Sequence, residues 1–130
     1  MPTELTILGA SVVLLVVHIM LQGQLATRDR GLAWNAGPRD GTDDAPLSPL
    51  AGRAARALAN YQETYPAFIA LALGLAVTGQ TGGIGAAGAI VWLIARILYI
   101  PLYLLGIPYI RSLVWAVAML GLLLMLIRYF

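Results

Sequence analysis

The sequence has no cysteine, no lysine and one histidine, His18. Without cysteine there is no disulfide, no thiolate metal site and no protein thiol nucleophile, so any sulfur chemistry needs a thiol carried by a substrate. One histidine cannot build a multi-histidine metal site. Charge is scarce too. Only 11% of the 130 residues are charged, against about 25% in an ordinary soluble domain. The net charge of +2 is too small to point to nucleic acid. All eight basic residues are arginine, for which codon or lineage bias is the plainest account. Arginine nevertheless stays charged when desolvated and grips carboxylates through two parallel hydrogen bonds, which lysine does less well.

What the chain has in abundance is apolar length, at 60% hydrophobic residues. A membrane-crossing helix needs roughly 20 mostly apolar residues. Four such helices use most of the chain and leave room for one real loop. The expectation is therefore an all-α membrane protein, a single domain over residues 1–130 built as a four-transmembrane-helix bundle. The helices are expected at about 3–26, 48–77, 84–104 and 109–129, with a loop at about 27–47. Leu5 to Thr27 contains no formally charged residue, and the segment lacks a basic leader and a small-residue cleavage site, so it reads as a retained helix. His18 in its later part reads as an interfacial or helix-contact histidine rather than a catalyst. The 27–47 stretch is dense in Gly, Pro and Asp, hence a loop kept solvated by its aspartates, with Trp34 suited to the headgroup level. Ser48 followed by Pro49 is a helix-start signal. Pro66 predicts a kink inside the second helix, and Gly85, Gly88 and Ala89 suit close helix packing in the third.

Arginine placement predicts orientation. Arg28, Arg30, Arg39, Arg53 and Arg56 lie in or beside the first loop, and Arg111 beside the third. The second loop has no basic residue and Arg128 stands alone near the C-terminus. The first and third loops are expected in the cytoplasm and both termini outside it.

Charge within a membrane helix costs several kcal/mol and usually faces the bundle interior for a reason. Arg53, Arg56, Asn60 and Glu63 are spaced three, four and three apart, which puts them within about 80° of arc on one face. Trp92, Arg96, Tyr99 and Tyr103 are spaced four, three and four and fall within about 60°. Arg111, Ser112 and Trp115 open the last helix. Antiparallel connectivity brings all three groups to one membrane level. Each residue alone reads as a buried ion pair, a snorkelling arginine or a packing aromatic. Together they suit a small, charged, peptide-like ligand. Arginines would take its carboxylates, Asn60 and Glu63 its amide or ammonium groups, and an arginine near a thiol would favour the nucleophilic thiolate. Ser112 could donate a hydrogen bond to the sulfur, and a lipophilic second substrate could arrive from the bilayer.

The segments that carry these residues are R-A-L-A-N-Y-Q-E-T-Y-P-A-F from Arg56 to Phe68, A-R-I-L-Y-I-P-L-Y from Ala95 to Tyr103, and I-R-S-L-V-W from Ile110 to Trp115. Here the sequence resembles the MAPEG family, the membrane-associated proteins in eicosanoid and glutathione metabolism, and within it a bacterial member of the microsomal glutathione transferase type. The resemblance implies a homotrimer in a bacterial inner membrane, with glutathione as co-substrate at subunit interfaces on the cytoplasmic side. It implies that Arg56, Asn60 and Glu63, with Arg53 above them, grip glutathione, and that Arg96, Tyr99 and Tyr103 match the third-helix element. By the same resemblance Arg111 faces the thiol with Ser112 beside it. An arginine after the first helix also belongs to the family's site; Arg28 and Arg30 both qualify. Thr64 and Trp115 depart from tyrosines of some members, which argues against eicosanoid specificity and for a glutathione transferase or peroxidase acting on lipophilic electrophiles or lipid hydroperoxides. The competing functions are a small membrane transporter and a non-catalytic scaffold or regulator. The exporter reading is weakened because the first helix offers only Glu4, at its edge.

Overall fold

The computed structural model describes residues 1–40 and 46–130. The described residues form helices and turns, with no strand among them. The helices are α1 (Thr3–Arg30), α2 (Leu32–Ala36), α3 (Pro49–Val77), α4 (Gly83–Leu104) and α5 (Ile110–Ile127). The part of the expected loop at 41–45, with Asp43 and Asp44, lies outside the described residues.

Three helices are long and apolar enough to cross a membrane, namely α1, α4 and α5. The sequence reading expects four. The difference is α3, whose 29 residues have ample length but include Arg53, Arg56 and Glu63. The reading also ends the first helix too early, at Ala26. Arg28, Asp29 and Arg30 are polar but compatible with a helix, and α1 stops only at the first glycine after them, Gly31, which takes φ 93°. The expected loop also contains the five-residue α2, which ends at Gly37 and Pro38. At the start of α3, Pro49 occupies the first turn and the Ser48 hydroxyl accepts the Ala51 N–H at 3.2 Å. Both α3 and α4 continue through an internal proline, Pro66 and Pro101.

Contacts between chain ends establish the up-and-down course of the long helices. At one end, the carboxylate of Glu4 accepts the backbone N–H of Gly82 at 2.8 Å, and Arg128 donates to the Gln80 carbonyl at 3.1 Å. At the other end, Arg28 reaches the Ser48 hydroxyl at 3.0 Å and Arg53 the Leu104 carbonyl at 3.2 Å. Glu4, the second residue of α1, stands at the edge of that helix as the sequence has it, and it is fully buried. The turn after α3 folds over it, so that its carboxylate lies at the N-terminal end of α4, where a negative charge is favoured.

The core is aromatic. Phe68 and Trp92 stack with centroids 3.9 Å apart, and Tyr61, Tyr65 and His18 extend the cluster, His18 lying 4.8 Å from Tyr61. Tyr61 donates to the Ser11 carbonyl at 2.7 Å, and the Ser11 and Tyr65 hydroxyls are 2.8 Å apart. These bonds hold α1 against α3.

The α4–α5 pair is held by glycines. A Cβ on Gly121 would lie 2.6 Å from the Gly88 carbonyl oxygen and 2.8 Å from the Trp92 nitrogen. Backbone cannot move aside as a flexible side chain can. Gly121→Leu is therefore expected to lower stability by about 1–3 kcal/mol or more, read as a lower Tm in detergent. Gly9→Leu, where a Cβ meets nothing within 4 Å, should leave Tm nearly unchanged.

Candidate functional site

One face of α3 alternates between contacts inside the subunit and open surface. Arg53 turns towards the end of α4. Its guanidinium bonds the Leu104 carbonyl and lies against Gly106, where a Cβ would come within 2.8 Å of it. Gly106 has φ 69°, so this position needs glycine both for its backbone and for the space that Arg53 occupies. Arg56 and Glu63 are exposed on the surface of the single subunit, not set in its interior. Between them Asn60 is partly buried and turns inward.

Asn60 is held from behind. The Arg96 guanidinium is completely buried and donates from Nη1 to the Asn60 carbonyl oxygen at 2.9 Å. It also sits over two rings, 4.6 Å from the Tyr99 centroid and 5.2 Å from that of Tyr61. Arg96 Nε and Nη2 have no hydrogen-bond partner. A buried cation held by an amide and two π faces is an arrangement stabilised by the ring quadrupoles. Its cost is contained, not abolished.

In front of Asn60 is a cavity of about 260 Å³, lined by Asn60 from α3, Tyr99 and Tyr103 from α4, and Arg111, Ser112 and Trp115 from α5. The Arg111 guanidinium lies 4.7 Å from the Tyr103 ring centroid, and the Tyr99 and Tyr103 rings are 5.4 Å apart. The cavity therefore combines one cation, an amide and three hydroxyls against an aromatic wall. Such a set binds anionic and amide groups. Among the described residues no three His, Asp or Glu side chains come together as metal ligands would.

The MAPEG family model matches residues 7–130. The chain belongs to the MAPEG family. It is thus an integral membrane protein of the family concerned with glutathione and eicosanoid metabolism. No curated protein and no solved structure matches it.

Of the residues singled out from sequence, this MAPEG chain brings Asn60, Tyr99, Tyr103, Arg111 and Ser112 to one cavity and places Arg96 behind it. Arg53, Arg56 and Glu63 do not line that cavity. Arg28 and Arg30 part company. Arg28 points to the start of α3, bonding Ser48 and Asp29, whereas Arg30 lies over the Trp34 ring at 4.8 Å. Trp115, grouped with Arg111 and Ser112 in the sequence but given no role toward a ligand, walls the cavity. Tyr61 supports Arg96 from below, and nothing in its position beside Asn60 announces that.

Proposed function

We propose that this protein is a glutathione-dependent membrane enzyme of four transmembrane helices, with α3 as the fourth, working as a homotrimer. The observation that carries this reading is the cavity that sets Arg111 and Ser112 against Asn60, Tyr99 and Tyr103. Its donor set fits a peptide thiol. Arg111 would face the sulfur, where a fixed positive charge favours thiolate over thiol. Ser112 would donate to the same sulfur. Asn60, fixed by Arg96, would hold a peptide amide.

The trimer is supported by what one subunit leaves unfinished. A cavity of about 260 Å³ falls below the roughly 300–1,000 Å³ usual for ligand sites. Arg56 and Glu63, suited to a carboxylate and an ammonium group, stand exposed beside it. A neighbouring copy laid against this face would enclose them and complete the pocket. Of the two arginines in the last turn of α1, Arg28 is the candidate ligand, because it lies by the α3 N-terminus from which the Arg53–Glu63 face begins. The arginine-rich end would face the cytoplasm, where the peptide thiol is supplied, and electrophiles or hydroperoxides would enter from the lipid.

Purified protein is expected to conjugate glutathione to a chlorodinitrobenzene-type electrophile. In that reaction the thiolate sulfur bonds to the ring carbon, chloride leaves and the thiol proton goes to solvent. Calorimetry showing no glutathione binding at millimolar concentration would sink the proposal.

A further inference from the structure

The last four carbonyls of a helix find no partner within it and must be satisfied from outside. At the end of α4 the following turn takes three of them. Leu105 donates to the Pro101 carbonyl at 3.0 Å, Ile107 to that of Leu102 at 3.1 Å and Gly106 to that of Tyr103 at 3.0 Å. The fourth, on Leu104, accepts from another helix, from Arg53 Nη1 at 3.2 Å. A positive charge is favoured at that end of a helix.

The rest of the guanidinium is pressed against the same turn. A Cβ on Gly106 would stand 2.8 Å from Arg53 Cζ, 2.9 Å from Nη2 and 3.2 Å from Nε. All three nitrogens thus lie against the chain, with no fork turned to a ligand carboxylate. Arg53 is half-buried and does not line the thiol cavity. Arg56, one turn along α3, is exposed instead. Two arginines that share a face by their spacing therefore have different surroundings.

The turn that Arg53 holds joins two residues of the cavity. Tyr103 is the last but one of α4 and Arg111 the second of α5. Their side chains meet across the turn, the guanidinium 4.7 Å from the ring centroid, and both line the cavity. No side chain caps the start of α5. Its first turn is tied back only locally, by the Arg111 N–H to the Pro108 carbonyl at 3.1 Å. The place of Arg111 therefore depends on the stretch 105–109, which Arg53 fastens to α3.

We propose that Arg53 is a positioning residue: by capping α4 at Leu104 and holding the turn over Gly106, it sets Arg111 against Tyr103 and so towards the sulfur. The effect on catalysis rests on the thiol reading of the cavity. The latch itself does not.

The test pairs hydrogen exchange with kinetics on the full chain in detergent. In Arg53→Ala the amides of Gly106, Ile107 and Arg111 should exchange about tenfold faster, as local opening follows the loss of a charged hydrogen bond. Arg53→Lys, whose ammonium can still bond the Leu104 carbonyl, should restore most of the protection, and Arg56→Ala should leave it as it is. In the same Arg53→Ala protein kcat for glutathione conjugation at neutral pH should fall about 10- to 100-fold, because a misplacement of about 1 Å can cost about 10²-fold. KM for glutathione should change less than about twofold. The deficit should shrink as pH rises and the thiol ionises unaided, and Arg53→Lys should recover most of the rate. If Arg53→Ala does not fold, Arg53→Gln, which keeps a shorter donor, carries the same two readouts. Unchanged exchange overturns the proposal. So does a loss confined to KM, which would make Arg53 a carboxylate ligand. Faster exchange in a protein that binds no glutathione upholds the latch and removes the thiol reading alone.

Discussion

Arg111→Ala is expected to lower kcat/KM for glutathione conjugation at neutral pH by about 10²–10³, the usual effect of removing one preorganised charge-stabilising group. The loss should depend on pH in a defined direction. A free thiol titrates near pH 8.5, so at pH 7 only a few per cent of it is thiolate. With Arg111 present the thiolate dominates at lower pH. Without it, the rate should climb with pH until the thiol ionises unaided, and the deficit should shrink above pH 9. The fall should appear mainly in kcat, because the peptide's carboxylates would still have Arg56 and Arg28. Stopped-flow assays from pH 6 to 10 measure this. A deficit that stays constant across pH and resides in KM would make Arg111 a binding group instead. Unchanged activity would remove it from the reaction, and a scaffold role would predict no activity to lose.

The helical layout was legible in the sequence because charge is so sparse that long apolar runs have no other home. Their ends were less so. The run Thr27–Arg30 looks like loop by polarity alone, yet nothing in it breaks a helix before Gly31. Glu4 shows a different limit. Its sequence position near one end says nothing about a turn 78 residues away that folds over it. Periodicity grouped Arg53, Arg56, Asn60 and Glu63 on one face, but a face is not a depth. Packing against α4 draws Asn60 inward and leaves Arg56 and Glu63 at the surface. Arg96 was recognised as part of the polar group, but only the structure shows that it is sealed behind the cavity, in contact with Asn60 rather than with the open space.

That arrangement makes two substitutions at one hydrogen bond unequal. Asn60→Leu strands a fully buried guanidinium whose Nε and Nη2 already lack partners. Removing the acceptor of a buried charged donor costs about 1–3 kcal/mol or more, because the charge remains where water cannot reach it. Arg96→Met removes the charge itself and fills similar space, a change that is often neutral or even stabilising. In SDS titrations of the folded protein, Asn60→Leu should therefore be much less stable than Arg96→Met. The double variant should return close to Arg96→Met, since no charge is left to strand. Ligand binding should not follow stability. Arg96→Met leaves Asn60 intact but unanchored, so glutathione affinity should fall although the fold holds, and Asn60→Leu should lose both. If Arg96→Met proved the more damaging of the two, the guanidinium would be satisfied by an anion, such as a carboxylate of a neighbouring copy, and Asn60 would be its bystander. The order of the two stabilities thus tells whether Arg96 serves the site by positioning an amide or by holding the assembly together.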